Sequence, residues 1–223
     1  MRTVMVFNKK TGLMKMVPAQ RWPRYNPALH ASFVALGGGD EIGKSSYWYR
    51  FPWPGSKYGY LSVIIDYGMH PHNGGGPNIQ GVDHVDFVIA SHAHADHSVR
   101  IPELANKFPE AVVYTTQETL EMCFIQWKDS LSAFSRKERT TGEKPPYTAG
   151  DIQRMVKEQV QVIPFWHRVE LPANVTMLPP NAGHILGAMS SFFVQDLGIG
   201  KKCSVFHSSD FLFDNQNLIP GAP

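Results

Sequence analysis

Ser91-His92-Ala93-His94-Ala95-Asp96-His97 carries the first chemical signal in this chain. It directly follows residues 85–90 (VDFVIA), which read as a buried strand. In an extended segment His92 and His94 point to the same side. Asp96 and His97 then lie in the next turn and can face the same spot. Three imidazoles and a carboxylate this close together suit a divalent ion of intermediate softness, such as zinc. Ala93 and Ala95 are small, which lets the loop fold tightly. A lone histidine is more often a core or surface residue; four ligands at this spacing are another matter.

Two further candidates lie downstream. His184 sits in residues 180–188 (PNAGHILGA), where glycines on both sides give a loop able to bring an imidazole close to a metal. Asp210 ends a strand-like run, residues 203–209 (CSVFHSS), and a carboxylate at a strand end can bridge two metals. A third motif is set aside. Residues 38–45 (GGDEIGKS) match the phosphate-binding pattern G-x-x-x-x-G-K-[ST], but that chemistry needs a helix N-terminus directly after the lysine. Here β-prone aromatics and then Pro52 and Pro54 follow, and Asp40 and Glu41 would repel phosphate. The segment reads as a tight turn between strands.

These residues need a scaffold. Strands are expected over residues 30–36, 45–51, 85–90, 111–114, 160–165, 191–194 and 203–207, and at Tyr60–Ile65 and Val175–Leu178. Helices are expected over residues 102–108, 116–127 and 151–159, with Pro102 at a first helical position and Asp151 near a start. Residues 131–147 are polar, charged and proline-containing, and read as a loop. Short strands mixed with a few helices indicate a layered α/β (α+β) domain.

Composition sets the limits. The chain has 223 residues, about 1.5 domains by length alone, with 43% hydrophobic and 18% charged residues. That is globular composition. The two cysteines, Cys123 and Cys203, exclude a disulfide framework and a four-cysteine zinc site. A bound metal would be held by nitrogen and oxygen from ten histidines and 19 carboxylates. No stretch reads as a signal peptide or membrane helix, so a cytoplasmic protein without membrane partners is expected. Net charge is +2, unevenly spread. Residues 1–39 hold Arg2, Lys9, Lys10, Lys15, Arg21 and Arg24 and no acid. This basic arm, with Trp22 and Tyr25, reads as a solvated extension that could touch a polyanion.

The histidine loop with the later His184 and Asp210 resembles the metallo-β-lactamase superfamily. Residues 181–194 (NAGHILGAMSSFFV) are similar to the histidine loop of its β-CASP branch, the nucleases related to ribonuclease J and to the cleavage subunit of polyadenylation factor. Residues 36–45 resemble that branch's glycine-rich strand turn, Ile65-Asp66-Tyr67-Gly68 its first motif, and Tyr114-Thr115-Thr116 with residues 149–156 its helical region. The similarity covers roughly residues 30–219.

The resemblance implies an αββα sandwich, incomplete at its C-terminal side. Residues 1–29 would be the basic extension, 30–219 the N-terminal part of the catalytic domain, and 220–223 a tail. It implies that His92, His94 and His184 hold one zinc, that Asp96 and His97 hold a second, and that Asp210 bridges. Asp66 would orient the histidine loop, and Asp66 and Asp96 would serve catalysis. One or two zinc ions, or manganese or iron in the same ligand set, would activate water against a phosphodiester of RNA, with DNA as the alternative substrate. Two glycines usual beside the metal are replaced, by Val99 and Ser209. The inserted β-CASP domain, the closing strands and the usual last ligand of the second zinc are not found before Pro223. An exposed apolar edge is therefore expected, open to a partner chain or to self-association. The competing readings are a thioester or lactone hydrolase of the same superfamily, and a non-catalytic fragment or split subunit that binds metal and RNA. His70, His72, His84, His167 and His207 read as structural.

Overall fold

A computed structural model describes residues 3–8, 13–18, 30–198 and 200–223. Strands β1 (Thr3–Asn8) and β2 (Leu13–Pro18) pair antiparallel, with Thr3 opposite Pro18. The basic arm thus contains a hairpin that its sequence did not suggest. Arg21, Trp22, Arg24 and Tyr25 fall outside the described residues.

The main sheet has six strands: β3 (Ser32–Gly37), β4 (Ser46–Pro52), β5 (Tyr60–Ile65), β6 (Phe87–Ile89), β7 (Val112–Thr115) and β8 (Val160–Val162), in that spatial order. The first three run antiparallel; β5 to β8 run parallel. A second sheet holds β9 (Val169–Leu171), β10 (Val175–Leu178), β11 (Ser191–Asp196) and β12 (Lys202–His207), all antiparallel, ordered β12-β11-β10-β9.

The two-residue side-chain period of the main sheet divides the core. Trp48, Ile64, Val88 and Val113 point one way. They meet α2 (Ile101–Lys107), α3 (Gln117–Thr141) and α4 (Ala149–Glu158) through Leu104, Cys123, Trp127, Ile152 and Met155. Tyr49, Phe51, Leu61, Val63, Ile65 and Ile89 point the other way, onto Leu171, Val175, Met177 and Phe193 of the second sheet. Each large apolar side chain buried this way stabilises the fold by about 1.5–3 kcal/mol. Helix, sheet and sheet are therefore stacked as expected. Among the described residues, α2, α3 and α4 all belong to the first core, so only one outer face carries a helical layer.

Two local readings change. Residues 131–147 do not form a loop throughout, because α3 continues to Thr141. Its cap there is Gly142 at φ 75°, a left-handed residue that closes a helix without strain. Leu131 and Phe134 rest on the core, so burial extends the helix through a charged stretch. Strand β9 was not anticipated. Phe206 on β12 is 60% exposed and Phe33 on β3 is 40% exposed. Both strands lie at the ends of their sheets. In residues 220–223, Ala222 N–H donates to Leu212 O at 2.7 Å and Pro220 O accepts from Asn181 Nδ2 at 3.0 Å. No helix among the described residues is long and apolar enough to cross a membrane.

Candidate metal centre

The centre lies at the carboxyl ends of the parallel strands. Asp66 follows β5 directly and takes φ 62°, left-handed, which Asp tolerates better than most residues. Its N–H donates to Ile89 O at 2.8 Å, and Tyr67 N–H donates to His97 O at 2.7 Å. Gly68 then passes so close to Asp96 that any side chain there would run into the Asp96 carbonyl. This explains Asp66-Tyr67-Gly68 physically: the three residues splice the end of β5 onto the histidine loop. In that loop His94 is the N-cap of a short helix, α1 (Ala95–Ser98), which turns Asp96 and His97 back toward the strand ends.

Residues 38–45, the rejected phosphate loop, form the turn from β3 into β4. Ser45 N–H donates to Asp96 O at 2.8 Å, and Lys44 pairs with Glu41 at 2.8 Å. The segment thus buttresses the histidine loop.

His92 Nε2 and His184 Nε2 each lie 3.1 Å from His94 Nδ1. Asp210 Oδ2 stands 4.0 Å from His92 Nε2 and 3.7 Å from His184 Nε2. These four ligand atoms lie within 4.8 Å of one another. The other carboxylate oxygen, Asp210 Oδ1, is 3.5 Å from His97 Nε2, which is itself 3.8 Å from Asp96 Oδ2. So one carboxylate faces two ways: four donors converge on the first cluster, and on the other side His97 Nε2 has Asp96 and Asp210 as its neighbours.

Hydrogen bonds behind these rings fix their tautomers. Asp66 is fully buried and accepts from Ser91 N–H at 2.8 Å and from Ser91 Oγ–H at 2.7 Å. His97 Nδ1 lies 2.8 Å from the same Oδ2 and must donate to it, which turns Nε2 toward Asp96, Asp210 and the Ser45 hydroxyl 3.3 Å away. Ser91 has one proton, committed to Asp66, and it accepts from Ser209 Oγ at 2.7 Å. His92 Nδ1, 2.9 Å from Ser91 Oγ, must therefore donate as well. Its Nε2 then offers a lone pair to the first cluster.

Electrostatics agree with these roles. Burial pushes His92 down to about 3, so it is neutral across the physiological range. Burial also lowers His184. Burial alone would raise Asp66, but His97, His92 and the Ser91 N–H together outweigh this and hold the carboxyl below the usual range. Desolvation would lower His97, but Asp66, Asp210 and Asp96 together raise it, so the metal-free ring favours a proton on Nε2 that an ion would have to displace.

The donor set fits a metal. His94 Nδ1 meets two other ring nitrogens at 3.1 Å, and a single N–H can satisfy only one of them. A tetrahedral ion with bonds of about 2.0–2.1 Å keeps its ligand atoms about 3.3 Å apart, close to this spacing.

Every site residue expected from the sequence reaches this place: His92, His94, Asp96, His97, His184, Asp210 and, behind them, Asp66. Sequence reasoning missed Ser91 and Ser209. Ser91 stands next to the histidine motif and Ser209 stands at a glycine position, so each left a faint trace. Of the replaced glycines, Val99 needs no special backbone; it has φ −64° and is fully buried in the first core. His207 lies between Tyr47 and Tyr49, with Nδ1 3.0 Å from the Tyr49 hydroxyl.

Comparison with known proteins places this geometry in context. The sequence profile of the metallo-beta-lactamase superfamily matches residues 61–177. An RNase J-like protein of Methanocaldococcus jannaschii is 34% identical over 140 residues, covering 63% of this chain and 29% of its own length. Transcription termination factor FttA of the same organism is 29% identical over 196 residues, covering 84% of this chain and 28% of its own length. Endoribonuclease YSH1 of Gibberella zeae is 26% identical over 213 residues, covering 93% of this chain and 24% of its own length. The chain thus spans less than a third of the length of these curated relatives.

Proposed function

The chain belongs to the metallo-β-lactamase superfamily, in its β-CASP branch, and from that footing we propose that it carries the metal centre of a phosphodiesterase acting on RNA. The observation that carries the reading is Asp210, whose Oδ2 faces the three-imidazole cluster while Oδ1 faces His97. His92, His94, His184 and Asp210 would hold a first zinc ion; Asp96, His97 and Asp210 would hold a second. Zinc bound there would supply charge neutralisation on the phosphate oxygens and a water acidified toward neutral pH.

The protein's own part is orientation. Ser91 and Asp66 hold His92 and His97 with their Nε2 atoms facing inward. Asp210 sets the separation of the two clusters. Asp96 is 36% exposed on its side chain and Asp210 48%, so substrate can approach from their side while His92 closes the floor. The endoribonuclease and RNase J-like names among the relatives support RNA as the substrate class.

The test is zinc content and RNA cleavage by this chain. With four donors against three, one zinc should bind tightly and a second more weakly. His94→Ala and His184→Ala should lose the tight ion. A labelled single-stranded RNA should be cut slowly, with cutting abolished by chelator and by Asp96→Ala. Zinc content unchanged in both histidine variants would overturn the site. Thioester turnover with RNA left intact would overturn the substrate class.

A further inference from the structure

Ser209 has φ 55°, in the left-handed region where a side chain is strained and glycine is not. It immediately precedes Asp210, and strain of this kind persists only where the surroundings hold it. Two contacts do so. The Ser208 carbonyl accepts from Ser190 Oγ at 2.7 Å, on the second-sheet side. The Ser209 hydroxyl donates to Ser91 Oγ at 2.7 Å, across 118 residues of chain. Ser91 Oγ–H in turn donates to Asp66 Oδ2 at 2.7 Å. A glycine at 209 would adopt the same backbone more easily, yet it could not make this bond.

We infer that Ser209 is a positioning residue, whose hydroxyl ties the Asp210 loop to the Ser91 and Asp66 pair and thereby fixes both the reach of Asp210 and the tautomer of His92. The link is chemical. With Ser209 donating, Ser91 is bound on both sides and its hydroxyl stays turned toward Asp66 as a donor. His92 Nδ1 can then only donate to Ser91, and Nε2 keeps its lone pair inward. Without that incoming proton Ser91 is free to turn and donate to His92 Nδ1. The His92 proton then moves to Nε2, where it blocks the cluster. Asp210 loses its tether at the same time. The inference rests on the metal-centre reading above and assigns this chain a hydroxyl device at a position where a glycine would otherwise serve.

The test compares Ser209→Gly and Ser209→Ala with the unaltered 223-residue chain, using Co²⁺ alone as the probe. Affinity is read from visible absorption against a competing chelator. The His92 tautomer is read from imidazole ¹⁵N shifts in metal-free protein, and fold integrity from thermal melting. Removal of an outer hydrogen-bond partner typically weakens metal binding by about 10–100-fold. Both variants should show that loss, with a shift of the His92 signals toward the Nε2-protonated form. Ser209→Gly should melt no lower than the unaltered chain, since it relieves the strained φ. Tight Co²⁺ binding with an unchanged His92 signal in Ser209→Gly would overturn the inference, even if Ser209→Ala were impaired. An unaltered chain that takes up no Co²⁺ would overturn the metal reading, and this inference with it.

Discussion

Replacing Asp66 by Asn isolates the centre of the hydrogen-bond hub. Asn adopts left-handed φ about as readily as Asp, so the φ of 62° at this position adds no backbone penalty. The side chain is nearly isosteric, and what changes is donor count. Asp66 Oδ1 accepts one N–H, from Ser91, while Oδ2 accepts two donors, from Ser91 Oγ and His97 Nδ1. An amide turned one way sets its NH₂ against the Ser91 N–H. Turned the other way, it faces both remaining donors. The better orientation still strands a buried donor pair, at about 1–3 kcal/mol, and replaces charge-assisted bonds with neutral ones, at roughly 1 kcal/mol each. The total is about 3–5 kcal/mol. At about 2–4 °C per kcal/mol for a chain of this size, melting should fall by roughly 6–20 °C. Circular dichroism melting in the presence of a chelator measures this without any contribution from metal. A fall of less than about 3 °C would refute the argument that Asp66 is the anchor of the histidine loop.

Two other predictions address the scaffold. Burial pushes the Cys123 thiol up to about 12, whereas Cys203 is partly accessible on β12. A thiol reagent at pH 8 should therefore modify one cysteine per native chain quickly and two after denaturation; two fast thiols in native protein would contradict the packing of α3. The folded Cys123 thiol titrates above its unfolded value of about 8.5, so its contribution to stability is complete below that pH and is lost as pH rises toward 12. Gln159 is the second target, since its buried Nε2 lies 3.2, 3.2 and 3.0 Å from the carbonyls of Ala105, Phe108 and Ala111. Gln159→Leu should cost about 2–4 kcal/mol by stranding those acceptors, read from denaturant midpoints, and a loss under 1 kcal/mol would show that water replaces the amide.

The sequence made the strands and the ligand set legible for different reasons. Strand β5, YLSVII, declared itself because β-branched and aromatic residues crowd a short run bounded by turn residues. His92, His94, Asp96 and His97 declared themselves because local spacing alone brings their side chains together. His184 and Asp210 were legible only as candidates, from flanking glycines and a strand end, since their approach to His94 and His92 depends on the second sheet. Helix α3 was read too short because its second half is charged; the deciding contacts of Leu131 and Phe134 belong to tertiary packing. Ser91 and Ser209 left only faint traces, because a hydroxyl pair 118 residues apart makes no local pattern.

The two halves of the ligand set are anchored unequally. His92 and His97 grow from strands in the middle of a six-stranded sheet, among the last elements to open when a protein breathes. His184 and Asp210 ride on loops of the second sheet, near its end strand β12. An ion shared between them therefore acts as a clasp on a long chain loop, and its loss returns conformational freedom chiefly to the later segment. Amide exchange in residues 182–187 and 208–223 then reports on occupancy of the centre, while β5, β6 and β7 report only on global unfolding.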